Sequence, residues 1–180
     1  MELRFYVAHG ASGTAASMAG HVRGLGARGV DAVAIDLPRR KAEDALPAFR
    51  AIVPDGPAAP GADGRRIAVG GQSYGGRVAS LAAALPDTDY TALVCFSFPL
   101  HPPGSPAKAE ERTRHFPDIR CPVLFLSGEA DPFAPIDQLR QRVRLIPNAE
   151  LVTYPRLGHT LKPVLEDALD QAARFLLDLG

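Results

Sequence analysis

Five residues, Gly71-Gln72-Ser73-Tyr74-Gly75, form a G-x-S-x-G pattern. It lies between an apolar run, Arg66 to Gly70, and an alanine-rich stretch that ends near Leu85-Pro86. A serine at the tip of a tight strand-to-helix turn exposes its hydroxyl, and the helix N-terminus behind it favours developing negative charge. The flanking glycines leave room for neighbouring backbone. Such a serine suits attack on an acyl carbonyl, but its hydroxyl is a poor nucleophile near neutral pH unless a base takes its proton. In sheets that carry this turn, an acid and then a histidine follow the serine in chain order. His159, in Gly158-His159-Thr160, and Asp131, in Gly128-Glu129-Ala130-Asp131-Pro132, fit that order. Glu129 and Asp137 are the rival acids. His159 would carry the proton, and Asp131 would fix its tautomer.

Acyl transfer also needs donors for the oxyanion. The backbone N–H of Tyr74, directly after the serine, is one candidate. The N–H of Ala11, or of Ser12, in the turn His9-Gly10-Ala11-Ser12-Gly13 is the other. His9 itself reads as a structural residue holding that turn. Tyr74, Phe98, His101 and Phe133 are candidate walls of the pocket, and Ser12 is a further candidate pocket residue. His101 either lines the pocket or braces the Pro102-Pro103 turn, and the sequence leaves both open. No motif with ligand spacing joins His9, His101 and His159 as a metal site, and no cofactor is expected. No G-x-G-x-x-G opens the first helix, so a dinucleotide site is not expected either.

These residues must be held by a scaffold. Apolar runs at 3–8, 30–35, 66–70, 92–98, 122–126 and 150–154 read as six strands. Helix-like stretches at about 15–28, 41–52, 74–85, 136–145 and 162–179 separate most of them. The strands are mostly continuous apolar runs, as expected when helices cover both sheet faces. The alternation predicts a three-layer α/β/α sandwich with a parallel sheet, in one domain over residues 1–180. Every candidate above follows a strand, and ligands in open parallel sheets bind at the carboxyl ends of the strands. The stretch 54–64, with three prolines and three glycines, reads as a mobile surface connection that either covers the site or extends into solvent.

Composition narrows the function. The chain has 180 residues, with 20 Lys+Arg against 20 Asp+Glu, so no basic field favours a nucleic-acid partner. No apolar run reaches membrane-spanning length, and the start does not resemble a signal peptide. Two cysteines, Cys95 and Cys121, are too few for a disulfide scaffold and read as buried thiols. A cytoplasmic protein acting on a small-molecule acyl substrate is the expectation, with its oligomeric state open.

The chain resembles the α/β-hydrolases, in their small, capless form. More narrowly it is similar to a bacterial hydrolase-like family whose animal relatives include a testis-expressed protein and a subunit of a histone-acetylating chromatin complex. The matching stretches are His9–Gly13, Gly71–Ala79, Leu100–Gly104, Gly128–Phe133 and Gly158–Pro163. The resemblance implies a triad of Ser73, Asp131 and His159, six strands in the order 2-1-3-4-5-6, and no cap after the fourth strand. A serine hydrolase of the esterase type is the expected activity. A perhydrolase or acyltransferase would use the same acyl-enzyme with another acceptor. The chromatin-associated relative implies a different alternative, a catalytically inactive interaction module. The presence of all three triad residue types favours catalysis.

Overall fold

The computed structural model describes residues 2–102 and 104–179. Pro103, part of the matching stretch Leu100–Gly104, lies outside them. Six strands, β1 (Leu3–Ala8), β2 (Asp31–Ile35), β3 (Arg66–Gln72), β4 (Ala92–Phe96), β5 (Val123–Gly128) and β6 (Ala149–Tyr154), form one sheet. Its order is β2-β1-β3-β4-β5-β6, as expected, and every neighbouring pair is parallel. The helices are α1 (Ala19–Gly26), α2 (Ala42–Ile52), α3 (Tyr74–Ala83), α4 (Ala109–Arg112), α5 (Ile136–Val143) and α6 (Leu165–Asp178).

Alternate strand residues point to opposite faces, and each face has its own core. Tyr6, Val69, Leu93 and Phe125 pack with Phe49 of α2, Val78 of α3 and Leu139 of α5. Phe5, Val7, Val94 and Leu124 pack with Leu25 of α1 and with Leu169, Ala172 and Leu176 of α6. The central strand β4 is buried throughout, whereas the edge strands β2 and β6 are only partly covered. Continuous apolar runs are therefore strongest where helices lie on both sides.

The 54–64 connection does not reach the site. It precedes β3, and so lies at the opposite end of the sheet from Ser73. It is also tied down. The Asp55 carboxylate accepts from Arg50 Nε at 2.9 Å, the Asp89 N–H donates to Asp55 O at 2.6 Å, and Ala62 is buried.

One expected element ends early. The apolar run to Phe98 predicts a longer fourth strand, but β4 stops at Phe96, and Ser97 takes φ 55°. The strand alternation breaks at that residue. Phe98 turns into the core, 1% exposed, with its ring edge-on to Phe116 and Phe125 at 5.3 and 5.7 Å. Phe98 is thus a core residue and not the pocket wall its position after a strand suggests. Among the described residues from there to β5 the chain forms short elements only: α4 and two 3-10 turns, Pro106–Lys108 and Phe116–Asp118.

Candidate active site

Ser73 joins β3 to α3 with φ 50° and ψ −109°, a left-handed conformation that is strained for a residue with a side chain. Two backbone bonds hold it: Ser73 N–H donates to Phe96 O at 2.8 Å, and Arg77 N–H donates to Ser73 O at 3.1 Å. The turn is tight enough to require glycine at its far side. A Cβ on Gly75 would sit 2.5 Å from Ala8 O and 2.7 Å from His9 O. The start of α3 can abut the end of β1 only without a side chain there.

Ser73 Oγ lies 2.9 Å from His159 Nε2, and His159 Nδ1 lies 2.7 Å from Asp131 Oδ2. A carboxylate can only accept, so Nδ1 carries the proton and Nε2 presents a lone pair to the Ser73 hydroxyl. That tautomer can act as a base toward serine. The Asp131 side chain is fully buried, and its other oxygen accepts the Phe133 N–H at 2.8 Å. Both oxygens are satisfied, as a buried charge requires. The edge-on ring of Phe133, 4.7 Å away, flanks His159.

The two loops that bring acid and histidine together meet over Gly128, at the end of β5. A Cβ there would run into the carbonyls of Leu157 and Gly158, just ahead of His159. Ala130 N–H donates to Leu157 O at 2.9 Å, which locks the loops together. Gly128 has a positioning role that sequence reading passed over, although a glycine ending an apolar run is its visible signal. The rival acids point elsewhere. Glu129 accepts from Thr153 Oγ1 at 2.8 Å, and Asp137 is almost fully exposed.

The turn after β1 closes through Gly13 N–H to Gly10 O at 2.9 Å, which leaves Ala11 and Ser12 at its two central positions. Central turn residues do not use their N–H in the closing bond. Tyr74 opens α3, and the first N–H groups of a helix have no intrahelical acceptor. Ala11, Ser12 and Tyr74 border the same cleft as Ser73. His9 holds the turn. Its Nδ1 donates to Gly10 O at 2.7 Å, and its Nε2 accepts the Leu37 N–H at 3.0 Å. With Nε2 occupied as an acceptor, Asp36, 3.8 Å away, makes no ion pair with a neutral ring.

The cleft has a volume of about 420 Å³. His101 and Phe133 border it, as does Tyr74, whose hydroxyl donates to Pro38 O at 2.8 Å. His101 borders the cleft, and its Nδ1 bonds Pro102 O at 2.9 Å; the other half of the Pro102-Pro103 turn lies outside the described residues. Arg77 and Arg112 also border the cleft, and sequence reading singled out neither. Both cysteines are buried, and burial pushes each thiol pKa up, so neither is poised as a nucleophile. Among the described residues, no helix is long and apolar enough to cross a membrane.

Comparison with known proteins agrees with this architecture. Among solved structures, the chain is similar to a monoacylglycerol lipase of Paleococcus ferrophilus, with TM-score 0.82 and 13% identity over 98% of this chain and 95% of that one. It is similar to Est1E of Butyrivibrio proteoclasticus, solved with ferulic acid bound (TM-score 0.78, 20% identity, 99% and 89% covered). It is also similar to the butyrate-bound esterase Est2 of Thermogutta terrifontis (TM-score 0.74, 20% identity, 99% and 84% covered). No curated protein sequence matches the chain. At these identities the structural likeness is one of fold. A family model for the alpha/beta hydrolase domain, however, matches residues 2–175. With nearly its whole length matched, the chain belongs to the alpha/beta hydrolase family.

Proposed function

We propose that the protein is a serine hydrolase that cleaves an ester, thioester or related acyl bond through an acyl-enzyme on Ser73. The observation that carries this reading is the pair of hydrogen bonds linking Ser73 Oγ to His159 and His159 to the buried Asp131. Ser73 Oγ attacks the acyl carbonyl while His159 Nε2 takes its proton. Asp131 stabilises the imidazolium. The N–H groups of Ala11 and Tyr74 receive the oxyanion, and donors fixed before the reaction need no reorganisation. The tetrahedral intermediate collapses as His159 returns the proton to the leaving group. Water, activated by the same Nε2, then cleaves the acyl-serine and releases the acid. No cofactor enters this scheme. The protein would act as a single domain on a small-molecule acyl substrate in the cytoplasm.

Covalent labelling with a fluorophosphonate, read by intact mass, tests the proposal. Wild type should gain one adduct, and Ser73→Ala and His159→Ala none. Absence of any adduct on folded wild type would overturn the reading in favour of a non-catalytic interaction module on the same fold.

A further inference from the structure

The cleft beside Ser73 has an unbalanced lining. Its lining residues include two arginines, Arg77 and Arg112, and no Asp or Glu among the described residues. This does not follow from composition, because acidic and basic residues are equal in number. Other arginines of the chain sit on carboxylates: Arg28 on Glu166 and Asp170, and Arg50 on Asp55 and Asp87. Arg112 has no such partner among the described residues. Its one side-chain hydrogen bond is a long contact of 3.5 Å to Pro99 O. Arg77 pairs with Glu43, whose side chain is more than half exposed. The Arg77 side chain itself is only 12% exposed, and its Nε is buried with no acceptor.

Arg77 and Arg112 are two partly buried cations in one lining, and the carboxylates that act on them, Glu43 and Glu111, are both exposed, so their mutual repulsion is only partly offset. Burial, and then the charge of Arg77, lower the Arg112 pKa, against the charges of Glu43 and Glu111. An anion bound between the two groups would remove that cost, and guanidinium matches carboxylate and phosphate oxygens in paired geometry. Both groups are positioned relative to Ser73. Arg77 lies one helical turn along α3, with its N–H on Ser73 O. Arg112 ends α4, which is anchored by the buried Ala109 and by the Thr113 hydroxyl donating to Ala109 O at 2.8 Å.

We propose that Arg77 and Arg112 form an anion subsite that selects esters or thioesters carrying a carboxylate or phosphate group. The inference rests on the hydrolase reading of Ser73 and names the substrate class for it.

Two matched comparisons test it. Para-nitrophenyl hemiglutarate against para-nitrophenyl pentanoate puts a carboxylate on the acyl side. Butyryl glycerophosphate against monobutyrin puts a phosphate on the leaving group. Wild type should favour the charged member of one pair in kcat/KM by about tenfold or more, the scale of a hydrogen bond to a charged group. The pair that responds identifies the anion. Arg112→Gln should remove most of that preference, Arg112→Lys should retain part of it, and added salt should reduce it. Equal or better turnover of both neutral esters by wild type, or a ratio unchanged in Arg112→Gln, would overturn the subsite while leaving the hydrolase reading standing. If wild type turns over none of the four esters, fluorophosphonate labelling decides the hydrolase reading separately. Calorimetric titration of glutarate and glycerol phosphate then decides the subsite: binding lost in Arg112→Gln supports it, and absent or unchanged binding overturns it.

Discussion

At the scale of single residues, chemistry dictates more than packing does. An acyl nucleophile needs a base, and a base needs one tautomer. Asp131 supplies that tautomer by accepting from His159 Nδ1. Asp131→Asn nearly preserves shape but can place an amide N–H against Nδ1, which drives the ring proton to Nε2, where it blocks acceptance from Ser73. We predict a loss of about 10⁴-fold in kcat with KM nearly unchanged, as when a triad aspartate is neutralised elsewhere. Steady-state kinetics on a short acyl ester checks this. Full activity in the variant would shift the role to another acid, and Glu129 would have to give up its bond from Thr153 to take it. The clustering of Ser73, Asp131 and His159 was legible in the sequence because the proposed chemistry fixes their types and the fold family fixes their order. Arg77 and Arg112 were not. They are 35 positions apart, and only packing puts both on one cleft wall. Phe98 was misread because a left-handed φ at Ser97 leaves no mark in residue type: a glycine or asparagine would have signalled it, and a serine does not.

At the scale of elements, the site depends on how closely α3 and β1 approach. Gly75→Ala would drive a methyl into the carbonyl oxygens of Ala8 and His9, which are backbone atoms and cannot rotate away. We predict a loss of about 1–3 kcal/mol or more, typical of overpacking, seen as a lower urea midpoint. Fluorophosphonate labelling should also slow, since relief requires α3 to retreat and take the Tyr74 N–H with it. Gly26→Ala is the control. It sits at the exposed end of α1 with nothing within 4 Å of the added Cβ. It should be neutral or gain up to about 1 kcal/mol from helix propensity. Equal effects at the two positions would mean that the close approach does not constrain the elbow. Strand and helix positions were largely readable from run lengths and helical spacing, and their ends were not. Residues 15–18, expected as α-helix, form a 3-10 turn, and β5 extends two residues beyond its apolar run. Both differences fall at termini, where local contacts decide.

At the scale of the whole molecule, each sheet face carries a half-buried histidine, and that ties stability to pH. His21 of α1 packs edge-on to Phe96, and His115 bonds the Ser80 hydroxyl at 2.8 Å. Burial lowers both from an ordinary 6.5 to about 4, with Arg77 adding to the effect on His115, against Glu43 and Asp118. The native state therefore holds both rings neutral in a range where the unfolded chain protonates them. Above pH 6.5 neither state binds the proton, so stability is unaffected. Between 6.5 and about 4 the unfolded state binds more protons, and stability falls as pH falls. Each ring can contribute at most about 3 kcal/mol over that window. Carboxylates titrate at its acid end in every variant, so the informative quantity is a difference between variants. His21→Phe keeps a ring against Phe96 without a proton to bind. We predict that its urea midpoint falls less steeply than that of wild type from pH 6.5 to about 4.5, with parallel curves above 6.5. Parallel curves throughout would mean that His21 is hydrated, and protonates, as readily in the native state as in the unfolded chain.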